Sequence, residues 1–109
     1  MVYIKGSNRQ PIEITRGDSE IFQVSIEING EEYIPQEGDV VSFAMRKNFG
    51  RVLLQKEVPV STMQLVLDPE DTKYLPFGRY KYDMQITFAD GRVKTFVKPS
   101  PFIIGEEVN

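Results

Sequence analysis

Three groups of residues in this sequence have types and spacings that could do chemistry: an acidic cluster, an Arg-Gly-Asp tripeptide and a phenylalanine among lysines. In the acidic cluster, Asp68, Glu70 and Asp71 offer the carboxylate oxygens that Ca²⁺ prefers, but the glycine-punctuated loop of calcium sites is missing. A helix start explains the same residues, with Asp68 as the N-cap and Pro69 at the first helical position. The sequence therefore predicts no metal site and no bound cofactor.

The tripeptide Arg16-Gly17-Asp18 has the sequence that integrins bind in adhesive proteins, but short motifs of this kind have poor specificity. It is followed by Ser19 and then by an alternating apolar segment, which is typical of a turn before a strand. Gly17 supplies the turn conformation, and the side chain of Asp18 or Ser19 bonds to nearby backbone. We interpret the segment as a turn.

Catalytic residue types are scarce in this chain, because cysteine and histidine are both absent. Their absence excludes disulfides, thiolate nucleophiles, Ser-His-Asp triads and the usual zinc ligands. Carboxylates, lysine or tyrosine could serve as a general base, but no pair of acidic residues stands out from turns, helix caps and solvated strand faces. The sequence predicts a protein that is not an enzyme and has no catalytic residues.

Length and composition predict one folded domain that spans residues 1–109. The chain is 40% hydrophobic and 27% charged, as is ordinary for a globular protein, and 109 residues can bury one core without disulfides or a metal. Residues 1–11 contain no apolar run, so we expect neither a signal peptide nor a membrane-spanning helix. Residues 1–10 and 106–109 are expected to be flexible termini.

Alternation of apolar and polar residues predicts short β-strands along most of the chain. The clearest segments lie at residues 22–28, 41–45, 63–67 and 80–88, and each has one buried and one solvated face. The acidic segment that begins with proline predicts one short helical turn near residues 69–75. About seven strands with this helical turn are typical of an all-β, immunoglobulin-like Greek-key β-sandwich, with a small closed barrel as the alternative.

Two dipeptides, Asn29-Gly30 and Asp90-Gly91, predict tight hairpin turns, because both tolerate the positive φ angles of a type I′ turn. A two-residue turn sets the register of the strands on either side of it. At Asp90-Gly91 this register places Phe96 on the outer face of the last hairpin, opposite Gln85.

The outer face of that hairpin carries the one surface feature that an ordinary solvated sheet face does not explain. Residues 79–98 hold five basic and two acidic residues, a local charge of +3 in a chain whose net charge is −3. The phenylalanine among these lysines is either solvated or covered by the chain's own termini, or it is an anchor for an acidic protein surface or a stacking platform for single-stranded nucleic acid. The overall acidity disfavours nucleic acid. The candidate contact residues are Lys81, Lys94, Phe96 and Lys98, with Phe49 at a predicted loop tip.

Several strand and turn motifs resemble those of a known family. They are Arg-Gly-Asp-Ser at 16–19, Gly-Asp-Val-Val-Ser-Phe at 38–43, Asp-Thr at 71–72 followed by Leu75, and Gly-Arg-Tyr-Lys-Tyr-Asp at 78–83 continued by Met-Gln-Ile-Thr-Phe. Together they resemble small phage and prophage proteins related to the amino-terminal domain of upper baseplate proteins in phages of Gram-positive bacteria. The similarity covers roughly residues 10–104, and its motifs specify a fold better than an activity.

The resemblance implies a non-enzymatic virion or tail-associated structural module that docks onto other phage structural proteins or onto copies of itself. Such a protein would stay in the host cytoplasm before assembly and in the virion afterwards, with no membrane partner. The alternative is a carbohydrate-binding or adhesive accessory domain, which the same sandwich fold would serve equally well.

Overall fold

The structure is a computed structural model that describes residues 2–6, 9–47 and 50–106 of the chain. Within these residues the protein forms nine β-strands and one helix. The strands are β1 (Val2–Gly6), β2 (Ile12–Thr15), β3 (Glu20–Ile28), β4 (Glu31–Tyr33), β5 (Val40–Arg46), β6 (Val52–Val58), β7 (Gln64–Leu67), β8 (Gly78–Thr87) and β9 (Val93–Gly105), and helix α1 (Pro69–Lys73) lies between β7 and β8. No helix in the described part of the chain is long and apolar enough to cross a membrane.

The strands form the two sheets of a sandwich. In the four-stranded sheet, β3 pairs with β1 along one edge and with β4 and β7 along the other. The five-stranded sheet has the order β2-β9-β8-β5-β6. Strands distant in sequence are neighbours in both sheets, as Greek-key connections require. The predicted all-β, immunoglobulin-like sandwich with a helical turn near residues 69–75 is confirmed, with nine strands rather than about seven.

The core lies between the sheets and is built from side chains that alternate along the strands. Phe43, Tyr82 and Phe102 form its aromatic centre, with ring centroids 5.5, 5.9 and 6.0 Å apart. The Tyr82 hydroxyl donates a hydrogen bond to the backbone carbonyl of Gln10, so this buried polar group is paired. Burial raises the pKa of Tyr82, which remains a neutral donor.

The predicted tight turn at Asn29-Gly30 is confirmed. Asn29 and Gly30 have φ angles of 53° and 82°, in the left-handed region that a type I′ turn requires. The turn joins β3 to β4 and sets Ile26 opposite Tyr33. A local dipeptide was sufficient to determine this register, because a two-residue turn leaves the flanking strands one way to pair.

The predicted two-residue turn at Asp90-Gly91 is wrong. The Phe88 amide donates to the Arg92 carbonyl at 2.8 Å and the Gly91 amide donates to the Phe88 carbonyl at 2.8 Å, so the loop has three residues, beginning at Ala89. Gly91 has a φ of 93°, the conformation that closes a three-residue hairpin. The extra residue shifts the pairing of β8 with β9 by one position, which changes the face of every side chain beside the turn.

The expectation of a flexible terminus over residues 1–10 is wrong for Val2–Gly6, which forms β1. This strand runs parallel to β3, with Ile4 paired to Val24 and fully buried. Burial of Ile4 between the sheets offsets the conformational entropy lost when the segment is ordered. Residues 107–109, which were also expected to be flexible, lie outside the described residues.

Helix α1 begins directly after Asp68, as predicted. The Asp68 backbone N–H donates to Asp71 Oδ2 at 2.8 Å, which is one half of a capping box. Lys56 of β6 lies with its Nζ 2.6 Å from Asp71 Oδ2 and 3.4 Å from Asp68 Oδ2. The acidic cluster therefore serves as a helix cap and an ion-pair partner. Among the described residues, no group of three or more acidic, cysteine or histidine side chains is placed to hold a metal ion.

Two loops at one end of the sandwich are joined through the carboxylate of Asp39, which is 8% exposed. Its Oδ2 accepts hydrogen bonds from the Tyr33 hydroxyl at 2.6 Å and from the Gln36 amide at 2.8 Å. Its Oδ1 accepts one from the Ala89 amide at 3.2 Å. These donors, the Tyr33 hydroxyl foremost, hold the pKa of Asp39 below its usual value.

Replacing Asp39 with asparagine is expected to lower the midpoint of thermal unfolding by several degrees at neutral pH, because three donors lose a charged acceptor. A carboxyl whose pKa is lower in the folded protein stabilises the fold fully above its unfolded pKa of about 3.9, and this contribution is lost as the pH falls through the folded value. The difference in unfolding midpoint between the wild type and Asp39→Asn should therefore become smaller below about pH 4. Thermal unfolding followed by circular dichroism from neutral to acidic pH measures this difference, and a difference that does not change with pH would contradict this role.

Candidate partner-binding groove

Phe96 does not point outwards as predicted, because it is 4% exposed and belongs to the core. On the neighbouring strand Gln85 pairs with Thr95 and Met84 pairs with Val97, which makes Phe96 the extra residue of a β-bulge. The three-residue hairpin turns Phe96 to the inner face, and the bulge allows the fully buried Val97 to lie on the same face. The interpretation of Phe96 as an exposed anchor is therefore wrong.

Phe96 lies at the base of a groove of about 370 Å³ between the β3–β4 hairpin and β9. One wall is the hairpin segment from Glu27 to Gly30, and the other is formed by residues of β9. Ile28, which packs against the core, adds to the apolar base. The groove therefore combines an apolar base with polar walls.

The walls of this groove carry charges of both signs. Lys94 and Lys98 are exposed on the β9 wall, and Glu27 is exposed on the hairpin wall. Neither lysine forms an ion pair with another described residue. A negatively charged group that enters the groove would find two ammonium groups available for pairing.

The structure brings together three of the five residues predicted as partner contacts. Lys94, Phe96 and Lys98 line the groove. Lys81 lies on the outer face of the five-stranded sheet and takes no part in it. Phe49 lies outside the described residues, so its predicted place at a loop tip stays a prediction.

The outer face of the five-stranded sheet differs from the groove in its electrostatics. Burial raises the pKa of Asp83 on β8, and the positive charge of Arg46 on the adjacent strand β5 opposes this rise. The Arg46 Nε atom is buried without a hydrogen-bond partner among the described residues. This face thus holds a basic group close to an acidic one within a single sheet, whereas in the groove Lys94 and Lys98 lie on one wall and Glu27 lies on the other.

The Arg16-Gly17-Asp18 segment is a turn, as interpreted from the sequence. Gly17 has a φ of 82°, and its amide donates to the buried Thr72 side-chain oxygen at 2.9 Å. The Arg16 guanidinium lies 4.1 Å from the centroid of the Phe77 ring. The turn therefore connects the segment before β3 to helix α1 and to the loop that follows the helix.

Sequence patterns alone do not identify the hairpin residues Glu27 to Gly30 as one wall of the groove. The Asn29-Gly30 turn marks a hairpin, but nothing local shows that it lies beside β9, which belongs to the other sheet. The one available signal is the turn itself, since it places Glu27 near the tip of a projecting hairpin.

No protein-family model matches the sequence, and no curated protein matches it. Among solved structures, the chain is similar to the crystal structure of CopC from Methylosinus trichosporium OB3b. The superposition has a TM-score of 0.41 at 19% sequence identity, and it covers 67% of this chain and 72% of that chain.

Proposed function

We propose that this chain is a non-enzymatic structural module of a phage or prophage, associated with a tail or baseplate, that acts through contacts with other phage structural proteins. The support is of two kinds. The motifs within residues 10–104 resemble those of small phage and prophage proteins, which suggests the setting. The groove between the β3–β4 hairpin and β9 suggests the manner of contact.

The groove is the observation that carries the proposed manner of contact. Lys94 and Lys98 flank the base formed by Phe96, so the complementary partner segment presents carboxylates beside a small apolar side chain. Charge pairs at the rim of a contact guide association and orient the partner, while apolar contact contributes affinity. The net charge of −3 disfavours binding of the same acidic segment elsewhere on the surface.

The proposed setting is tested by mass spectrometry of purified particles from the phage or induced prophage that encodes this chain. We expect peptides of the chain in intact particles, and chemical cross-links from Lys94 or Lys98 to tail or baseplate proteins. Particles without the chain, together with no cross-linked structural protein, would count against the proposed function.

The contact itself is tested by charge reversal in the groove. Lys94→Glu combined with Lys98→Glu should weaken binding to the cross-linked protein by at least about tenfold, because two attractive pairs become repulsive. Surface plasmon resonance measures the dissociation constant. The matched control, Lys73→Glu with Arg79→Glu, makes the same change in net charge at exposed positions outside the groove and should bind within about twofold of wild type. An equal loss of affinity in both double variants would mean that the net charge of the protein, and not the groove, governs binding.

One observation at the opposite end of the sandwich favours the alternative, a carbohydrate-binding or adhesive accessory domain. Tyr74 is 80% exposed and Phe77 is 43% exposed, and exposed aromatic rings are surfaces on which sugar rings stack. The Phe77 ring has the Arg16 guanidinium 4.1 Å from its centroid, whereas the more exposed Tyr74 ring has the Lys73 ammonium farther away, at 5.7 Å, so Tyr74 is the more accessible of the two. A glycan array distinguishes the two functions: binding that Tyr74→Ala abolishes and Lys94→Glu does not would favour the alternative.

A further inference from the structure

The chain segment that leads from β4 towards β5 presents an aliphatic side chain to solvent between two acidic ones. Ile34 is 69% exposed, more than any other described isoleucine, leucine or valine. Glu32 and Glu37, one on each side of it in sequence, are also exposed. Neither glutamate forms an ion pair within the described part of the chain. Residues 32–37, called the Ile34 segment below, therefore offer an apolar group flanked by two available carboxylates.

The Ile34 segment is held in one conformation by hydrogen bonds. The Asp39 carboxylate accepts from the Tyr33 hydroxyl and the Gln36 amide, and the Asp39 amide donates to the Gln36 carbonyl at 3.0 Å. The Gln36 side-chain amide donates to the Ile34 carbonyl at 3.1 Å. A segment that is already ordered loses little conformational entropy when it binds, so it is well suited to a contact.

The Ile34 segment is complementary to the groove between the β3–β4 hairpin and β9. The two groove lysines lie two positions before and two positions after Phe96, and the two glutamates lie two positions before and three positions after Ile34. Opposite charges around an apolar centre orient a contact, and the apolar centre contributes affinity. Within one chain, Ile34 lines a separate cleft with Val60 and Met63. The segment can thus reach a groove only in a second chain.

We infer that the groove of this chain receives the Ile34 segment of a second copy, and that two copies form a symmetric dimer in this way. The groove lysines pair with the glutamates of the segment, and Ile34 contacts the apolar base at Phe96. Groove and segment lie at the same end of the sandwich, because the Asp39 carboxylate is bonded to the Ala89 amide in the loop before β9. A two-fold axis at this end makes the same contact twice.

The charges of the groove set the orientation of the incoming segment. Glu27 on the hairpin wall repels its carboxylates, whereas Lys94 and Lys98 on the β9 wall attract them. The glutamates of the segment therefore face β9. The inference rests on the proposed function, since it takes the groove as a contact site, and it adds the identity of an occupant.

Self-association is measured first on the whole chain. Analytical ultracentrifugation from about 1 μM to about 1 mM should show monomer converting to dimer. A carbodiimide, which joins a lysine amine directly to a carboxylate, is then applied to a mixture of ¹⁴N-labelled and ¹⁵N-labelled protein. Peptides that link Lys94 or Lys98 of one isotope to Glu32 or Glu37 of the other come from two different chains and are the expected product.

Charge reversal on each side of the contact tests the pairing. The groove variant Lys94→Glu/Lys98→Glu and the segment variant Glu32→Lys/Glu37→Lys should each raise the dissociation constant at least about tenfold, because the pairs become repulsive. An equimolar mixture of the two variants should form a mixed dimer within about threefold of the wild-type affinity, since every contact in it again joins opposite charges.

Two control variants make the same charge changes at exposed residues near helix α1 and the end of β9, away from the groove, and should leave the equilibrium unchanged. They are Lys73→Glu/Arg79→Glu and Glu13→Lys/Glu106→Lys.

Truncation of the apolar anchor tests its place in the groove. Ile34→Ala should raise the dissociation constant at least about tenfold, because the dimer loses the buried side chain twice. The matched control is Ile21→Ala, which truncates an isoleucine that is 41% exposed on β3 and should leave the dissociation constant unchanged.

A chain that stays monomeric over the whole range, with no cross-links between isotopes, overturns the inference. A dimer that Ile34→Ala leaves unchanged, or that the mixture of charge variants does not restore, also overturns it. The proposed function fails on different results, namely particles that lack the chain and groove variants that keep their affinity for the cross-linked phage protein. A monomeric chain whose groove variants lose that affinity would overturn this inference alone.

Discussion

Replacing Phe96 with alanine is expected to destabilise the fold by about 3–5 kcal/mol, the usual loss when a buried phenylalanine is truncated. Phe96 is 4% exposed, and its neighbours Met84 and Val97 are fully buried and paired to each other across β8 and β9. These neighbours hold their places in the strand ladder, so the structure has little freedom to close the space that the ring leaves.

Urea unfolding of the wild type and the variant measures this loss. Val93→Ala is a control on the same strand, because Val93 is 57% exposed and its truncation should change stability by no more than about 0.5 kcal/mol. Phe96→Leu keeps most of the apolar volume and should cost less than about 2 kcal/mol. A decrease of less than about 1 kcal/mol in the free energy of unfolding for Phe96→Ala would contradict the buried position and would support an exposed ring on the outer face.

Replacing Gly38 with alanine is expected to destabilise the fold by about 2–4 kcal/mol, from two causes. The φ of 97° at Gly38 lies in the left-handed region, which costs a residue with a side chain about 1–2 kcal/mol. The added Cβ would also lie 3.0 Å from the Cβ of Ala89. Ala89 cannot easily move aside, because its amide is bonded to the Asp39 carboxylate.

Gly91→Ala separates the two causes. Gly91 has a similar φ of 93°, but a Cβ there would meet no described atom within 4 Å. The Gly91→Ala variant should be destabilised only by its strained backbone conformation, by about 1–2 kcal/mol. The difference between the two variants in urea unfolding measures the contact with Ala89. Equal decreases in the free energy of unfolding for Gly38→Ala and Gly91→Ala would mean that the loops holding Gly38 and Ala89 can move apart without an energetic cost.

Much of the fold could be predicted from the sequence, because strand faces and turns are local properties. The alternation along residues 22–28 and 80–88 identifies which side chains share a face, and those side chains form the core. Asn29-Gly30 specifies its turn because both residues accept positive φ. Asp68 followed by Pro69 marks the start of helix α1 for an equally local reason.

The candidate site could be predicted only in part. Lys94, Phe96 and Lys98 are close in sequence and remain together, but their face was predicted on the assumption of a two-residue turn. A single extra loop residue exchanges the two faces of a strand, and dipeptides such as Asp90-Gly91 fit loops of either length. The bulge at Phe96 could not be predicted from the sequence either, because it depends on which side chains the opposite sheet can bury.

The sequence by itself determined that this chain is all-β with a capped helical turn, because periodicity, prolines and turn residues act over a few positions, and it favoured a sandwich while leaving a small closed barrel as the alternative. Only the tertiary structure decided that Phe96 is buried, that the β3–β4 hairpin lies beside β9, and that Lys56 of β6 is held at the cap of helix α1. Each of these depends on contacts between segments far apart in the chain. Such contacts are decided by the packing of the whole core, and no local pattern encodes them.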